Sequence, residues 1–198
     1  MKPEDILRTY NAVATTWDVQ RNQSLFERKW LDRMLNFAPG KTVLDLGCGA
    51  GRPISSYLVD RRATVTGLDG AAEMIALYQK NVPAARAVLA DMRGLDLGES
   101  FDAILAWNSF FHLSPDDQRG MFAIFARHAN PGAALMFTSG PEKGERIGHV
   151  ADQTVYHASL APAEYEALLN ANGFEVKHFR PEDPECAGHT IWLAKFTA

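Results

Sequence analysis

The stretch that decides the fold is VLDLGCGAG, residues Val43 to Gly51. Its first residues end a predicted strand, and three glycines follow within five positions. Glycine has no Cβ, so a loop of this kind lets the backbone approach a ligand closely. A predicted helix follows, and the start of a helix offers N–H donors and a positive dipole end. A tight strand-to-helix turn without a ligand would also explain the glycines.

Short apolar runs alternate with helical patterns after this loop. Such alternation predicts a parallel sheet with helices on both faces. The almost wholly apolar run 101–107 should be the central strand, and the last two strands should pair antiparallel at one end. We predict strands over 42–46, 64–68, 85–90, 101–107, 133–138, 175–180 and 190–196, and helices over 52–60, 71–80, from Ser114 and from Pro162.

The composition indicates a globular protein and argues against several function classes. Hydrophobic residues make up 46% and charged residues 22% of 198 residues, enough for a buried core. The net charge of −4 makes a nucleic-acid partner unexpected, although a local basic patch stays possible. Two cysteines and six histidines without ligand spacing predict no disulfide framework and no metal. Without a signal-like start or a long apolar run, we expect a cytoplasmic protein with no membrane partner.

Acidic residues follow the second and third predicted strands. Asp69 ends the second strand, where a carboxylate can accept hydrogen bonds from ribose hydroxyls. Asp91 and Met92 end the third, where they can bind an adenine edge, and Met74 can cover the base. Each acid alone is more often a cap or a solvated residue. Together, at the edge where ligands of such sheets bind, they predict an adenosine site.

The glycine spacing separates two kinds of adenosine cofactor. A dinucleotide loop reads G-x-G-x-x-G, whereas this chain has G-x-G-x-G and carries Arg52 where the last glycine would stand. Asp45, inside the first strand, would repel a pyrophosphate but suits a ligand with a cationic amine and a sulfonium. These features favour S-adenosylmethionine and leave a nicotinamide-dependent oxidoreductase as the weaker alternative.

Residues Val43 to Gly51 resemble motif I of the class I S-adenosylmethionine-dependent methyltransferases of small-molecule type. Asp69, Asp91-Met92, the strand from Phe101 and the segment from Asn130 to Ala133 resemble the later motifs of that family, in order. The resemblance covers the chain from about residue 40 to its end. It implies a Rossmann-like, doubly wound α/β fold, with a seven-stranded sheet whose last strand is antiparallel. It also implies S-adenosylmethionine as the cofactor.

The resemblance further assigns residues to the cofactor. The glycine loop would surround the methionine moiety, with Cys48 as a small filler and not a nucleophile. The segment from Tyr10 to Arg21 resembles a lid over the cofactor, although packing explains its aromatic residues equally well. The predicted cofactor-binding residues are Asp45, Gly47, Cys48, Gly49, Gly51, Asp69, Gly70, Met74, Asp91, Met92, Trp107, Asn108, Tyr10, Trp17 and Arg21.

The segment after the fourth strand, Trp107 to His112, lies where the family places residues beside the reactive methyl group. It lacks the Asn/Asp-Pro-Pro-Tyr/Phe signature of nucleic-acid amino methyltransferases, and the Pro-Cys of cytosine enzymes. A base is needed only if the acceptor must lose a proton. His112 is the candidate, and a histidine that merely packs the turn is the alternative. Residues 139–160 are predicted to be a long acceptor-side loop, either solvated or binding substrate through Tyr156 and His157.

We therefore predict one domain over residues 1–198. It comprises a helical amino-terminal lid (1–38), a cofactor-binding core (40–138), and an acceptor-side loop with the terminal strand pair (139–198). The predicted function is methyl transfer to an unidentified small-molecule acceptor, because the chain shows no added recognition domain; a protein or RNA acceptor stays open. The other alternative is a non-catalytic S-adenosylmethionine-binding or partner module on the same fold.

Overall fold

A computed structural model describes residues 2–198 of the chain; Met1, included in the predicted lid, lies outside this range. The helices are α1 (Ile6–Gln20), α2 (Arg28–Phe37), α3 (Ile54–Asp60), α4 (Ala72–Asn81), α5 (Pro115–Arg127) and α6 (Pro162–Ala171). The strands are β1 (Thr42–Leu46), β2 (Thr64–Asp69), β3 (Arg86–Leu89), β4 (Phe101–Ala106), β5 (Ala129–Ser139), β6 (Gly144–Val150), β7 (Gln153–Ser159), β8 (Phe174–Asp183) and β9 (His189–Phe196).

Seven strands form one sheet in the order β3-β2-β1-β4-β5-β9-β8. The strands from β3 to β5 are parallel, and β9 runs antiparallel to both β5 and β8. The apolar strand β4 lies in the middle, as predicted. The expected Rossmann-like, seven-stranded sheet with an antiparallel last strand is therefore confirmed.

Alternate residues of the central strands contribute to two apolar cores. Leu44 and Ile104 pack into a core with α5 and α6, whereas Val43 and Leu105 pack into a core with α2 and α3. Successive side chains on a strand point to opposite faces. The continuous apolar pattern of β1 and β4 thus reflects helices on both faces of the sheet.

The segment 139–160 corrects the prediction of a long loop. It contains a hairpin in which β6 pairs with β7 in an antiparallel ladder separate from the main sheet. Most of β6 is exposed, so its sequence carries no apolar alternation. The turn is made by Ala151 at φ +47°, and neither glycine nor asparagine marks it. These two facts explain why the hairpin is not visible in the sequence.

The strand β5 begins at Ala129, before its predicted start at Ala133. Its pairing with β4 is irregular, because Phe101 faces Ala129 while Ala103 faces Ala134. Pro131, which has no N–H to donate, and Gly132, at φ +80°, lie in this bulge. The Pro-Gly pair therefore marks a bulge inside the strand and not the turn before it.

Helix α1 lies along α4 and is fixed to both of its ends. The Asn11 side chain accepts a hydrogen bond from the Glu73 amide at 3.0 Å, and Asp18 accepts one from the Asn81 side chain at 3.1 Å. The Asn11 oxygen thus satisfies an N–H group in the first turn of α4, which a side chain of α4 itself does not cap. These contacts hold α1 over the carboxyl ends of the parallel strands.

Among the helices of residues 2–198, none combines the length and the apolar character that crossing a membrane requires.

Two glycine substitutions test the packing of the sheet. A Cβ at Gly67 in β2 would lie 2.3 Å from the Tyr78 ring, so we expect Gly67→Ala to lower the free energy of unfolding by about 1–3 kcal/mol. Gly120 is exposed inside α5 with nothing within 4 Å of a Cβ. We expect Gly120→Ala to raise stability by about 0.5–1 kcal/mol. Urea unfolding measures the free energy of unfolding of both variants. Changes of the same sign in the two variants would contradict this description of the packing.

Candidate functional site

A cleft that is partly open to solvent lies at the carboxyl edge of the sheet beneath α1. Small-molecule ligands commonly bind in clefts at this edge of α/β sheets. Every residue predicted to bind the cofactor lines this cavity, and so does His112. The structure thus brings these residues together, while their roles stay predictions. The lining residues that sequence reasoning did not single out are Ile6, Leu7, Ala50, Arg52, Ile54, Arg93, Ser109 and Leu113.

The glycine loop provides space for close approach. Gly47, Gly49 and Gly51 have φ values of +73°, +54° and +82°, a region that disfavours other residues. A Cβ at Gly47 would lie 2.2 Å from the Cβ of Ser109, whereas one at Gly49 would meet only the Trp17 Nε1 at 3.6 Å. A side chain at Gly47 would therefore clash with the protein itself. A side chain at Gly49 would instead enter the open space of the cavity.

The N–H groups of this loop are bonded inside the protein. The amides of Gly47 and Cys48 donate to the Leu68 carbonyl at 2.7 and 3.0 Å. The Gly49 amide donates to Asp69 at 3.0 Å. The loop is therefore fixed to the end of β2, and these three amides already have partners without any ligand.

Asp69 joins the loop to the start of α4. One carboxylate oxygen accepts the Gly49 amide and the other accepts the Ala71 amide at 2.9 Å. Burial raises the pKa of Asp69, and these N–H groups oppose the rise. A carboxylate has about four acceptor sites, so Asp69 can also accept hydrogen bonds from a diol such as that of ribose.

Asp45 is a buried carboxylate at the floor of the cavity. It accepts a hydrogen bond from the Ser55 hydroxyl at 2.5 Å. Burial raises the pKa of Asp45 to about 6 against this bond, and the charge of Asp69 adds to the rise. A cationic group in the cavity would stabilise the charged form. A positively charged ligand would therefore suit this carboxylate, and the cofactor-binding role of Asp45 stays a prediction.

Asp91 has a partner that the sequence analysis missed. Arg93 contacts both of its carboxylate oxygens, with Nη2 at 2.6 Å and Nε at 3.0 Å. Burial would raise the pKa of Asp91, but the hydrogen bonds from Arg93 bring it below its ordinary value. An arginine two residues from an acid is a weak sequence signal, because such pairs are common on surfaces.

Helix α1 and its carboxyl end cover the cavity. Tyr10 and Trp17 line it from above, with ring centroids 6.1 Å apart in an edge-to-face arrangement. Arg21, at the carboxyl end of α1, forms an ion pair with Glu27, whose side chain is fully buried. This pair fixes the point at which the chain turns from α1 toward α2.

Trp107 and Asn108 are held on the opposite side of the cavity by His189. The Trp107 ring stacks on the imidazole of His189 at a centroid distance of 5.5 Å. The Asn108 amide donates to Nε2 of the same ring at 2.9 Å. Asn108 adopts a positive φ of +51°, so its place beside the cavity depends on these contacts.

His112 is buried, and both ring nitrogens have partners. Nδ1 lies 2.8 Å from the Tyr156 carbonyl oxygen, which only accepts, so Nδ1 carries the proton. Nε2 is then bare and accepts from the Tyr10 hydroxyl at 2.9 Å. Burial lowers the pKa of His112 to about 4, and His157 adds to this effect. His112 is therefore a neutral base whose lone pair faces Tyr10.

Tyr156 and His157, the predicted substrate-binding residues, lie outside this cavity. Neighbouring strand residues point to opposite faces, so the two side chains cannot share one surface. The His157 ring lies 4.9 Å from that of His112 and lines a separate depression with Phe111. Tyr156 is buried, and its carbonyl, not its side chain, reaches His112. The structure thus does not bring the two side chains together at the cleft, and their role in acceptor binding stays a prediction.

Two further groups bear on the chemistry. Burial raises the pKa of the Cys48 thiol well above its ordinary value, and the charges of Asp45 and Asp69 add to this. A protonated thiol is a poor nucleophile, which agrees with the reading of Cys48 as a filler.

Within residues 2–198, no group of three or more His, Cys, Asp or Glu side chains is arranged to hold a metal ion.

Among known proteins, this chain is similar to methyltransferases. Residues 43–132 match a family model described as a methyltransferase domain. A ubiquinone biosynthesis O-methyltransferase of Pseudomonas fluorescens is 32% identical over 116 residues, which are 56% of this chain and 48% of that protein. This chain therefore spans about half the length of that relative. An uncharacterised methyltransferase of Bacillus cytotoxicus is 23% identical and is matched over 96% of this chain and 92% of its own length.

The fold is also found among solved structures. The S-adenosylmethionine-bound structure of CalS10, an amino pentose methyltransferase from Micromonospora echinaspora, aligns with a TM-score of 0.72 and 20% identity. The alignment covers 90% of this chain and 93% of that one. At this identity the likeness establishes the shared fold.

The buried histidine predicts a pH dependence of stability. The folded-state pKa of His112, about 4, lies below the unfolded value of about 6.5. The unfolded chain therefore takes up the proton first, and we expect the free energy of unfolding to fall as the pH drops from about 6.5 to about 4. The raised pKa of Asp45 acts in the opposite direction between about 4 and 6, so the variant must be compared with wild type.

Urea unfolding of wild type and His112→Gln between pH 4 and 7 isolates this contribution. We plot the free energy of unfolding against pH for both proteins. The loss of stability that protonation of His112 causes below about pH 6.5 is expected in wild type and not in the variant. His149→Gln, an exposed position on β6, is the matched control. Parallel curves for wild type and His112→Gln would refute a buried neutral His112.

Proposed function

We propose that this chain is a class I S-adenosylmethionine-dependent methyltransferase, which the match of residues 43–132 to a methyltransferase-domain model supports, and that it transfers a methyl group from S-adenosylmethionine to a small-molecule acceptor. One observation carries the proposal. The carboxylates of Asp45, Asp69 and Asp91, contributed after or within three neighbouring strands, line one cavity together with the glycine loop. A buried acid beside a glycine loop suits a cationic ligand better than a pyrophosphate.

The residues present fit this cofactor. Asp69 retains acceptor capacity for ribose hydroxyls, and the buried Asp45 gains from a nearby positive charge. Met74 and Met92 offer apolar surface for a base. When bound, S-adenosylmethionine supplies a methyl group already activated by its sulfonium.

The protein then has to align the acceptor and exclude water. Such positioning can supply roughly 7–11 kcal/mol of the barrier reduction. Tyr10 and Trp17 cover the cavity from α1, and Ile6 and Leu113 make part of its wall apolar. Because α1 is fixed to both ends of α4, these side chains keep a defined position over the cleft.

A small acceptor is favoured because it would have to share one cleft with the cofactor. The predicted cofactor-binding residues and His112 line the same cleft. Helix α1, which lies over this cleft, packs against the β6–β7 hairpin through Ile6, Val13, Val150 and Val155. The name of the Pseudomonas relative, an O-methyltransferase of ubiquinone biosynthesis, agrees with a small acceptor.

Calorimetric titration with S-adenosylhomocysteine tests the cofactor assignment. We expect saturable binding to wild type and binding at least 10-fold weaker to Asp69→Asn, because hydrogen bonds to a charged group contribute about 1.5–3 kcal/mol. Asp60→Asn, at an exposed position ending α3, is the matched control and should bind like wild type.

The same titration includes NAD as the competing ligand. No heat with S-adenosylmethionine or S-adenosylhomocysteine, from protein shown to be folded by circular dichroism, would reject the proposal. Saturable NAD binding would then favour the oxidoreductase alternative.

A further inference from the structure

Tyr10 and His112 form a hydrogen-bonded pair that the assignment of Tyr10 to the lid does not use. The two residues are 102 positions apart, and the Tyr10 oxygen lies 2.9 Å from His112 Nε2. The pair continues to the Tyr156 carbonyl through Nδ1 at 2.8 Å. Three separate elements, α1, the turn after β4 and β7, thus meet in one chain of hydrogen bonds at the cavity wall.

We propose that the Tyr10 hydroxyl takes the proton from a hydroxyl acceptor while His112 takes the proton of Tyr10 at Nε2. This inference rests on the proposed methyl transfer and names the group that contacts the acceptor. Tyr10 is then a catalytic residue, and His112 acts through it.

His112 has no nitrogen open to an acceptor. Nδ1 donates to the Tyr156 carbonyl, and the lone pair of Nε2 is covered by Tyr10. The residue is only 6% exposed, and the rings of Phe111 and His157 each lie 4.9 Å from its own. Tyr10 lines the cavity, and its oxygen keeps lone pairs that can accept a hydrogen bond from an acceptor.

The step balances without a further reactant. The acceptor O–H bond breaks and its proton moves to the Tyr10 oxygen, while the phenolic proton of Tyr10 moves to His112 Nε2. The acceptor oxygen uses an electron pair to bond to the methyl carbon. The methyl–sulfur bond breaks, and its electron pair stays on sulfur. The positive charge present on sulfur before the step is present on the imidazole after it.

The pKa values of His112 and Tyr10 determine when the acceptor loses its proton. Burial lowers the pKa of His112, and burial with the nearby charge of Asp69 raises the pKa of Tyr10. The pair is therefore too weak a base to ionise a free alcohol or phenol. An acceptor oxygen becomes far more acidic as it bonds to the methyl carbon, so the proton leaves while that bond forms.

The pair suits a hydroxyl better than an amine. An amine acceptor arrives as an ammonium ion at neutral pH and is favoured by a nearby carboxylate. Within residues 2–198, the charged or titratable groups that affect the pair are Asp69, which acts on Tyr10, and His157, beside His112. Asp69 is bonded to two backbone amides, and the proposed function assigns its remaining acceptor sites to the ribose diol and not to an acceptor.

The first test uses the protein without cofactor. Heteronuclear NMR of the imidazole nitrogens should show the His112 proton on Nδ1 in wild type. Tyr10→Phe should move the Nε2 resonance toward that of a nitrogen without a hydrogen bond and leave Nδ1 protonated. Tyr57→Phe, which removes a hydroxyl that donates to Asp32 on another face, is the matched control and should leave His112 unchanged. A wild-type proton on Nε2, or no response to Tyr10→Phe, would overturn the proposal.

The second test measures transfer of labelled methyl from S-adenosylmethionine to phenol and catechol, with benzylamine, an ammonium ion at neutral pH, as the amine. We expect transfer to a hydroxyl, and about a 100-fold or greater fall in kcat for Tyr10→Phe. Because phenylalanine keeps the ring of Tyr10 over the cleft, this variant should still bind S-adenosylhomocysteine saturably. His112→Gln should lower kcat similarly, and the double variant no further, because the two residues act as one unit.

The outcomes separate this inference from the proposed function. If S-adenosylhomocysteine does not bind folded wild type, the proposed function fails, and the inference that rests on it fails too. If it binds but Tyr10→Phe keeps the wild-type rate, or only benzylamine or none of the probes is methylated, the inference alone is overturned. Independent, multiplicative losses in the double variant would also overturn it.

Discussion

A single buried carboxylate holds the ligand edge of this protein together. Asp69 accepts one amide from the glycine loop and one from the start of α4. It thereby ties the ends of β1 and β2 to the helix that covers the adjoining side of the cavity. An unpaired carboxylate at this depth would be costly to ionise, so the loop amides and the acid stabilise each other. The shape of the cleft depends on these hydrogen bonds, and Gly49, which has no side chain, leaves space open beside the loop.

The sheet could be predicted because its signals are local and strong. β1 lies at its predicted bounds, and β4 is central because only a strand covered on both faces is so continuously apolar. The hairpin β6–β7 could not be predicted, because an exposed ladder needs no apolar alternation and Ala151 forms the turn. The start of β5 was misplaced for a different reason. A Pro-Gly pair is typical of turns, and only the register with β4 shows that Pro131 and Gly132 form a bulge.

The candidate site was predictable to the extent that strand ends determine it. The carboxyl ends of parallel strands meet at one edge, so the acids after β2 and β3 had to lie near the glycine loop. Ser109 illustrates what lies beyond such reasoning. Its hydroxyl donates to the Leu46 carbonyl at 2.6 Å, and its Cβ lies where a side chain at Gly47 would have to fit. A serine in a turn does not reveal either contact in the sequence. Long-range pairs such as Tyr10 with His112 are likewise absent from any local pattern.

The cofactor side and the acceptor side of the cavity are built by different means. The cofactor side consists of strand ends fixed by the sheet, and its acids and glycines can be read in order along the chain. The proposed acceptor side consists of α1 and the turn at His112, and the hairpin packs against α1 through side chains such as Ile6 and Val155. Because such contacts can change without disturbing the sheet, one fold can keep one cofactor while its acceptors differ. The proposed proton path through Tyr10 belongs to this second, adaptable half, since it requires α1 and β7 to be docked together. Such a path would be specific to the acceptor chemistry of this chain, whereas the Asp69 linkage belongs to the ligand edge of the fold.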